Sequence, residues 1–196
     1  MKYLVVLALA LFVFISTNST TKEIEVPKNK NIDYTNTKKA YFAGGCFWGV
    51  EYHFEKKKGV KDVISGFMGG DVENPTYYGV VLGNTGHVEA VEVVYDPKEI
   101  SYEELAKLFF EIHDSTQKDG QGPDIGSQYL SVAFYNNEEE KKTVTKLIDI
   151  LKSKGYDVAT TLQEVSPFYA ASGYHQNYYA RTGKLPYCHS YTKIFD

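Results

Sequence analysis

The sequence predicts one α+β domain over residues 38–196, with a mixed sheet and helices on one or both of its faces. Two observations carry this prediction. Segments that alternate apolar and polar residues are interleaved with segments at helical spacing, and the connections between them vary from a tight turn to a long loop. No repeat is present. A third observation, 196 residues of which 43% are hydrophobic and 23% charged, fits a soluble chain with one sizeable core.

Taken in order, Lys39 to Ala43 reads as a strand and Phe47 to Lys57 as a helix ended by Gly59. Val60 to Met68 has strand content and stops at Gly69-Gly70. Residues 71–86 carry Asn74-Pro75, Gly83-Asn84 and Thr85-Gly86, which mark a loop with at most short elements. His87 to Tyr95 alternates and is ended by Asp96-Pro97. Ser101 and Glu104 form a capping box ahead of Leu105, Leu108, Phe109 and Ile112 at helical spacing. His113 to Gln128 is a second long polar loop, and Tyr129 to Tyr135 a strand. Asn137 caps a helix through Leu151, with Gly155 after it. Asp157 to Val165 is a strand, and Pro167 to Tyr179 is aromatic and part-helical.

The N-terminus lies outside this domain. Lys2 precedes an unbroken apolar run from Tyr3 to Ile15, and small polar residues follow. Residues 1–20 therefore read as a secretory signal peptide or an N-terminal anchor, and the run is short for a membrane span. Residues 21–37 are polar and read as a linker. An exported, periplasmic or extracytoplasmic protein is expected, with membrane association through the anchor as the alternative. The net charge of −4 and the lack of a basic patch beyond Lys56 to Lys58 argue against a nucleic-acid partner. The five histidines show no ligand spacing and the cysteines form no CxxC pair, so no metal is expected. No bound cofactor is expected either.

Chemistry points to Cys46. It stands in Gly44-Gly45-Cys46-Phe47-Trp48-Gly49, where a strand meets a helix start. Free backbone N–H groups and the positive end of the helix dipole favour thiolate over thiol there. The bland alternative is an inert core cysteine. Cys188, in a tail behind Gly183 and Pro186, is the other cysteine of the chain. The pair is either a plain bridge or a couple that cycles between dithiol and disulfide. A mobile tail suits a thiol that must arrive late, which favours cycling. Glu89 opens an otherwise apolar strand. Pointing inward, it would stay protonated and act as a general acid; facing water, it would be ordinary surface. Asp124 stands among glycines in the second loop, where it accepts backbone hydrogen bonds or holds a ligand N–H. His87, two residues before Glu89, and His175 could serve as bases in a Cys–His hydrolase.

The pieces Gly45-Cys46-Phe47-Trp48-Gly49, Asn74-Pro75-Thr76-Tyr77, Thr85 to Val91, Tyr95-Asp96-Pro97, Phe109 to Thr116, Asp124 to Tyr129 and Tyr174 to Tyr179 occur in one order. Together they resemble the A-type methionine sulfoxide reductases, the peptide-methionine (S)-S-oxide reductases. The resemblance covers nearly all of the chain after Lys38. It implies a ferredoxin-like α/β plait with long functional loops and a C-terminal tail, and thiol-dependent reduction of methionine S-sulfoxide, free or in oxidised proteins. It implies Cys46 as nucleophile, Glu89 as acid, and Phe47 and Trp48 around the substrate methyl group. Tyr77 and Tyr129 would bond the sulfoxide oxygen, and Asp124 and His175 would position the substrate backbone. Cys188 would be the resolving thiol, a thioredoxin-like protein the reductant, and the working form a monomer. Leu130 stands where the family usually has Arg, and Ser172-Gly173 replace an acidic pair. Two readings stand beside this one: the Cys–His hydrolase, and an exported binding domain with a Cys46–Cys188 staple.

Overall fold

The structure, a computed structural model, is described for residues 32–196. The expected signal peptide or anchor and most of the expected linker lie outside the described residues. Within the linker, the Tyr34 hydroxyl donates to Asp62 at 2.6 Å, so the chain is tied to the domain ahead of the first strand.

Five strands supply most of the sheet: β1 (Lys38–Gly44), β2 (Val60–Met68), β3 (Val88–Tyr95), β6 (Ser131–Tyr135) and β7 (Thr161–Glu164). β8 (Tyr169–Ala170) adds an edge, and the order is β7-β6-β1-β3-β2-β8. Among the described residues only β6 and β7 pair in parallel; β1 pairs antiparallel with β3 and β6, and β2 with β3 and β8. The sheet is thus mixed but mostly antiparallel. A two-residue hairpin, β4 (Gly120–Gln121) against β5 (Asp124–Ile125), lies apart from it. The helices are α1 (Phe47–Glu55), α2 (Tyr77–Val81), α3 (Tyr102–Ile112), α4 (Glu138–Ser153) and α5 (Tyr178–Thr182).

Alternation along the strands divides the core. Ala40 and Phe42 of β1 and Val91, Val93 and Tyr95 of β3 face the helices, where Phe54, Phe109, Leu105, Leu147 and Leu151 cover them. Tyr41, Ala43, Met68, Val88, Ala90 and Phe134 form a smaller cluster on the other face, covered by Val165, Phe168 and Leu130. Leu130, the departure from the family's arginine, therefore fills an apolar position. Glu89 belongs by register to the helix-facing side and lies opposite Phe67 of β2. The Ser101 capping box and the Asn137 cap both form.

Two expectations need correction. The strand expected over residues 157–165 shortens to Thr161–Glu164, because Tyr156 and the residues after it first close the end of α4 and join the Ser115 loop. The tail is not loose. Thr192 donates to the Glu111 carbonyl at 2.7 Å, Ile194 and Phe195 donate to the Glu111 carboxyl at 2.9 and 3.0 Å, and the Phe195 ring is buried against Phe110.

Candidate active site

β1 ends in Gly44-Gly45, and α1 begins one residue after Cys46, which is its N-cap. Gly45 sits at φ +96°, and a Cβ there would run into the Gln121 side chain, so the turn accepts little but glycine. Cys46 makes no side-chain cap; its carbonyl accepts from Gly49 at 3.1 Å. The cap position is left to Glu89, whose Oε2 accepts from the Phe47 N–H at 3.1 Å. Glu89 is 2% exposed. Burial pushes its carboxyl up to about 8, against the opposing pull of the Phe47 N–H, so it is protonated at neutral pH. Of the two alternatives for Glu89, the structure has the inward one.

Cys46 and Cys188 are both buried and both free. Their sulfurs and an Asp124 carboxylate oxygen lie within 4.8 Å of one another. The expectation that the helix start holds Cys46 ionised fails in this arrangement. Contact with the Cys188 sulfur, then burial, then the Glu89 carboxyl raise the Cys46 thiol, and the Trp48 N–H only partly offsets them. Cys188 moves the opposite way, lowered by the Cys46 contact and by His189. The asymmetry has a visible source, because the Cys188 sulfur lies 3.0 Å from His189 Nδ1. Of the two thiols, Cys188 is thus the one that gives up its proton first.

Aromatic rings cluster at the start of α1, directly after Cys46. Trp48 stacks on Tyr178 at 3.8 Å between centroids, with 6° between planes. His175 lies 5.4 Å from Phe47, 5.7 Å from Trp48 and 4.2 Å from Tyr77. Burial raises the Tyr77 hydroxyl to about 12, with Glu89 and Cys46 adding to it. Tyr129 is raised by burial and then by Glu89 and Tyr77. Both phenols therefore remain proton donors beside the carboxyl. His175 Nδ1 is buried without a hydrogen-bond partner, and Asp124 is held by the Tyr187 hydroxyl at 2.9 Å from each oxygen.

The structure thus brings Cys46, Glu89, Cys188, Asp124, Tyr77 and Tyr129 to one spot, with Phe47, Trp48 and His175 as its apolar wall. His87 is elsewhere: its ring lies against Tyr169 and Gly70. Among the described residues no histidine is bonded to the Cys46 sulfur, which leaves a Cys–His hydrolase without its base. Sequence reasoning gave no role to His189, which carried no signal beyond adjacency to Cys188. Tyr178 was read only as part of the aromatic segment Tyr174 to Tyr179, and Tyr187 only as the neighbour of Cys188.

The pattern of the family described as peptide methionine sulfoxide reductase matches residues 38–195. The chain belongs to the peptide methionine sulfoxide reductase family. Its reaction class is accordingly oxidoreduction at methionine sulfoxide, carried by thiols. One relative, the peptide methionine sulfoxide reductase MsrA of Nautilia profundicola, is 47% identical over 150 residues, 76% of this chain and 87% of the relative. Mxr1 of Saccharomyces cerevisiae in reduced form superposes with a TM-score of 0.74 at 33% identity, covering 81% of this chain and 94% of that one. Mxr1 in complex with Trx2 has a TM-score of 0.56 at 24% identity, over 84% of this chain and 96% of that one, which is a likeness of fold.

Proposed function

We propose that this chain reduces the S epimer of methionine sulfoxide, free or in oxidised proteins, by attack of Cys46 on the sulfoxide sulfur. The observation that carries the assignment is a pair of free sulfurs within 4.8 Å beside a buried, neutral carboxyl. A sulfoxide oxygen is a poor leaving group until it is protonated. Glu89 supplies that proton, and the Tyr77 and Tyr129 hydroxyls stabilise charge on the oxygen. The Cys46 thiol proton restores Glu89, so the step has no net proton demand. That suits a site whose burial keeps both groups neutral at rest. Methionine leaves, and Cys46 carries the oxygen as a sulfenic acid. Cys188 then condenses with it to a disulfide and water.

A thioredoxin-like protein is the proposed reductant of that disulfide, in line with the Mxr1–Trx2 complex. Phe47 and Trp48 seat the methyl group against fixed donors, which is how a chiral sulfoxide is sorted. Asp124 and His175 are proposed to hold the substrate backbone, with Tyr187 yielding Asp124 on binding. The β1-α1-β2-β3-α3-β6 connectivity with central order β6-β1-β3-β2 supports reading the fold as a ferredoxin-like plait. Export by residues 1–20, repair of oxidised proteins outside the cytosol and action as a monomer complete the proposal.

Cysteine variants test it. Cys46→Ser abolishes reduction of a methionine sulfoxide peptide. Cys188→Ser completes about one turnover per chain and then stalls. Sustained turnover of Cys188→Ser with a thioredoxin donor removes the resolving role.

A further inference from the structure

We propose that His189 is the catalytic base of the resolving half-reaction, with its Nδ1 removing the Cys188 proton as that sulfur attacks the Cys46 sulfenic acid. The proposal rests on the assignment of Cys188 as the resolving thiol.

The geometry fixes the tautomer. His189 Nε2 lies 2.7 Å from the Gly44 carbonyl, which can only accept, so Nε2 carries the hydrogen. Nδ1 of the neutral ring then has a bare lone pair, and the Cys188 sulfur lies 3.0 Å from it. The thiol donates to that lone pair.

The ring is buried, and its seat is shaped for it. A Cβ on Gly49 would come within 2.1 Å of His189 Nδ1, so the first turn of α1 leaves out a side chain where the imidazole lies. A Cβ on Gly45 would lie 3.6 Å from the same ring. The Gly44 carbonyl that orients the imidazole belongs to the same turn that presents Cys46. Base and nucleophile position are thus set by one strand-to-helix junction. Other titratable groups also face the pair. His53 of α1 and His113, the C-cap of α3, lie close enough to sense the His189 ring. Burial lowers the proton affinity of both rings, which weakens them as competitors for the proton. Glu89, Asp124, Tyr179 and Tyr187 face the two sulfurs as well, with Glu89 protonated at rest.

The bookkeeping closes. The Cys188 S–H proton passes to Nδ1, the sulfur electron pair forms the S–S bond, and the Cys46 S–O bond breaks. The departing hydroxide takes one proton and leaves as water, which returns the imidazole to neutrality. Cys46 sulfur is reduced and Cys188 sulfur oxidised, with no further reagent.

The test is a quenched single turnover of reduced protein with one equivalent of a methionine sulfoxide peptide, followed for methionine, trapped sulfenic acid and disulfide. His189→Gln retains an N–H for Gly44 and an acceptor for Cys188 but cannot carry a proton. Its methionine burst is expected within about twofold of wild type. Its disulfide formation is expected to fall at least tenfold near pH 6.5, with the gap closing as pH reaches the ordinary thiol range of about 8.5. An unchanged disulfide rate overturns the proposal, and so does a loss equal at every pH, which is a structural effect. Wild-type protein that makes methionine but no Cys46–Cys188 disulfide overturns the resolving assignment itself. A measurement without substitution stands beside these. In wild-type reduced protein, the His189 ring-proton shift and the alkylation rate of Cys188 must titrate together; independent titrations overturn the proposal.

Discussion

Glu89 shows how one residue obtains its chemistry from its surroundings. It is an ordinary glutamate by sequence. Strand register turns it inward, α1 seals it from water, and the cost of an ionised carboxylate there raises its affinity for a proton. The active form is the protonated one. The rate of methionine formation in a single turnover is therefore flat below about pH 8 and falls about tenfold per unit above it. Glu89→Gln removes that limb and slows the step by about 100-fold or more, while its far-ultraviolet dichroism matches wild type. An unaltered rate in this variant would remove Glu89 from the chemistry. The same reasoning explains why Cys46 was misread. Position at a helix start was visible in the sequence, but Cys188 is 142 residues away and its sulfur decides which thiol ionises first.

At the scale of the element, α1 serves two partners. Its first turn receives the Glu89 carboxyl, and its open side at Gly49 receives His189. Gly49→Ala should favour the isolated helix, since alanine exceeds glycine by about 1 kcal/mol within a helix. In the protein it drives a methyl group into the imidazole. The expected result is a displaced tail, with Cys188 more reactive toward alkylating agents and slower disulfide formation after a normal methionine burst. Glu51, one turn further on, is a second buried carboxyl, raised by burial to about 8 against opposing bonds from the Asn177 and Tyr178 backbone. A carboxyl that holds its proton more tightly when folded makes the fold less stable as pH climbs from its ordinary value near 4.5 to about 8. The loss across that window is on the order of 5 kcal/mol. Glu51→Gln should flatten the decline that Glu51 causes between those limits in urea unfolding midpoints. A slope identical to wild type would contradict this.

Over the whole molecule, the sequence was most legible where local rules act alone. β2 ends at Met68 ahead of Gly69-Gly70, and the Ser101 and Asn137 caps start α3 and α4 where their side chains dictate. The site residues were legible through an ordered set of motifs, and the structure gathers them. What could not be read was the docking of the tail. No period or cap announces that Phe195 enters the core beside Phe110, that Glu111 holds Ile194 and Phe195, or that Tyr187 occupies Asp124. Those contacts join positions more than 60 residues apart, beyond the reach of any local signal. Phe195→Ala should cost about 3 kcal/mol in global stability and release the tail. A pegylated maleimide would then label Cys188 faster than in wild type, and equal labelling would mean that Phe195 does not hold it.

The buried ring of Phe195 has a practical corollary. An affinity handle or fluorescent fusion joined directly behind Phe195 tugs on the plug that keeps the second thiol in position. Preparations labelled there should recycle more slowly than ones carrying the same label ahead of β1, even with both cysteines intact.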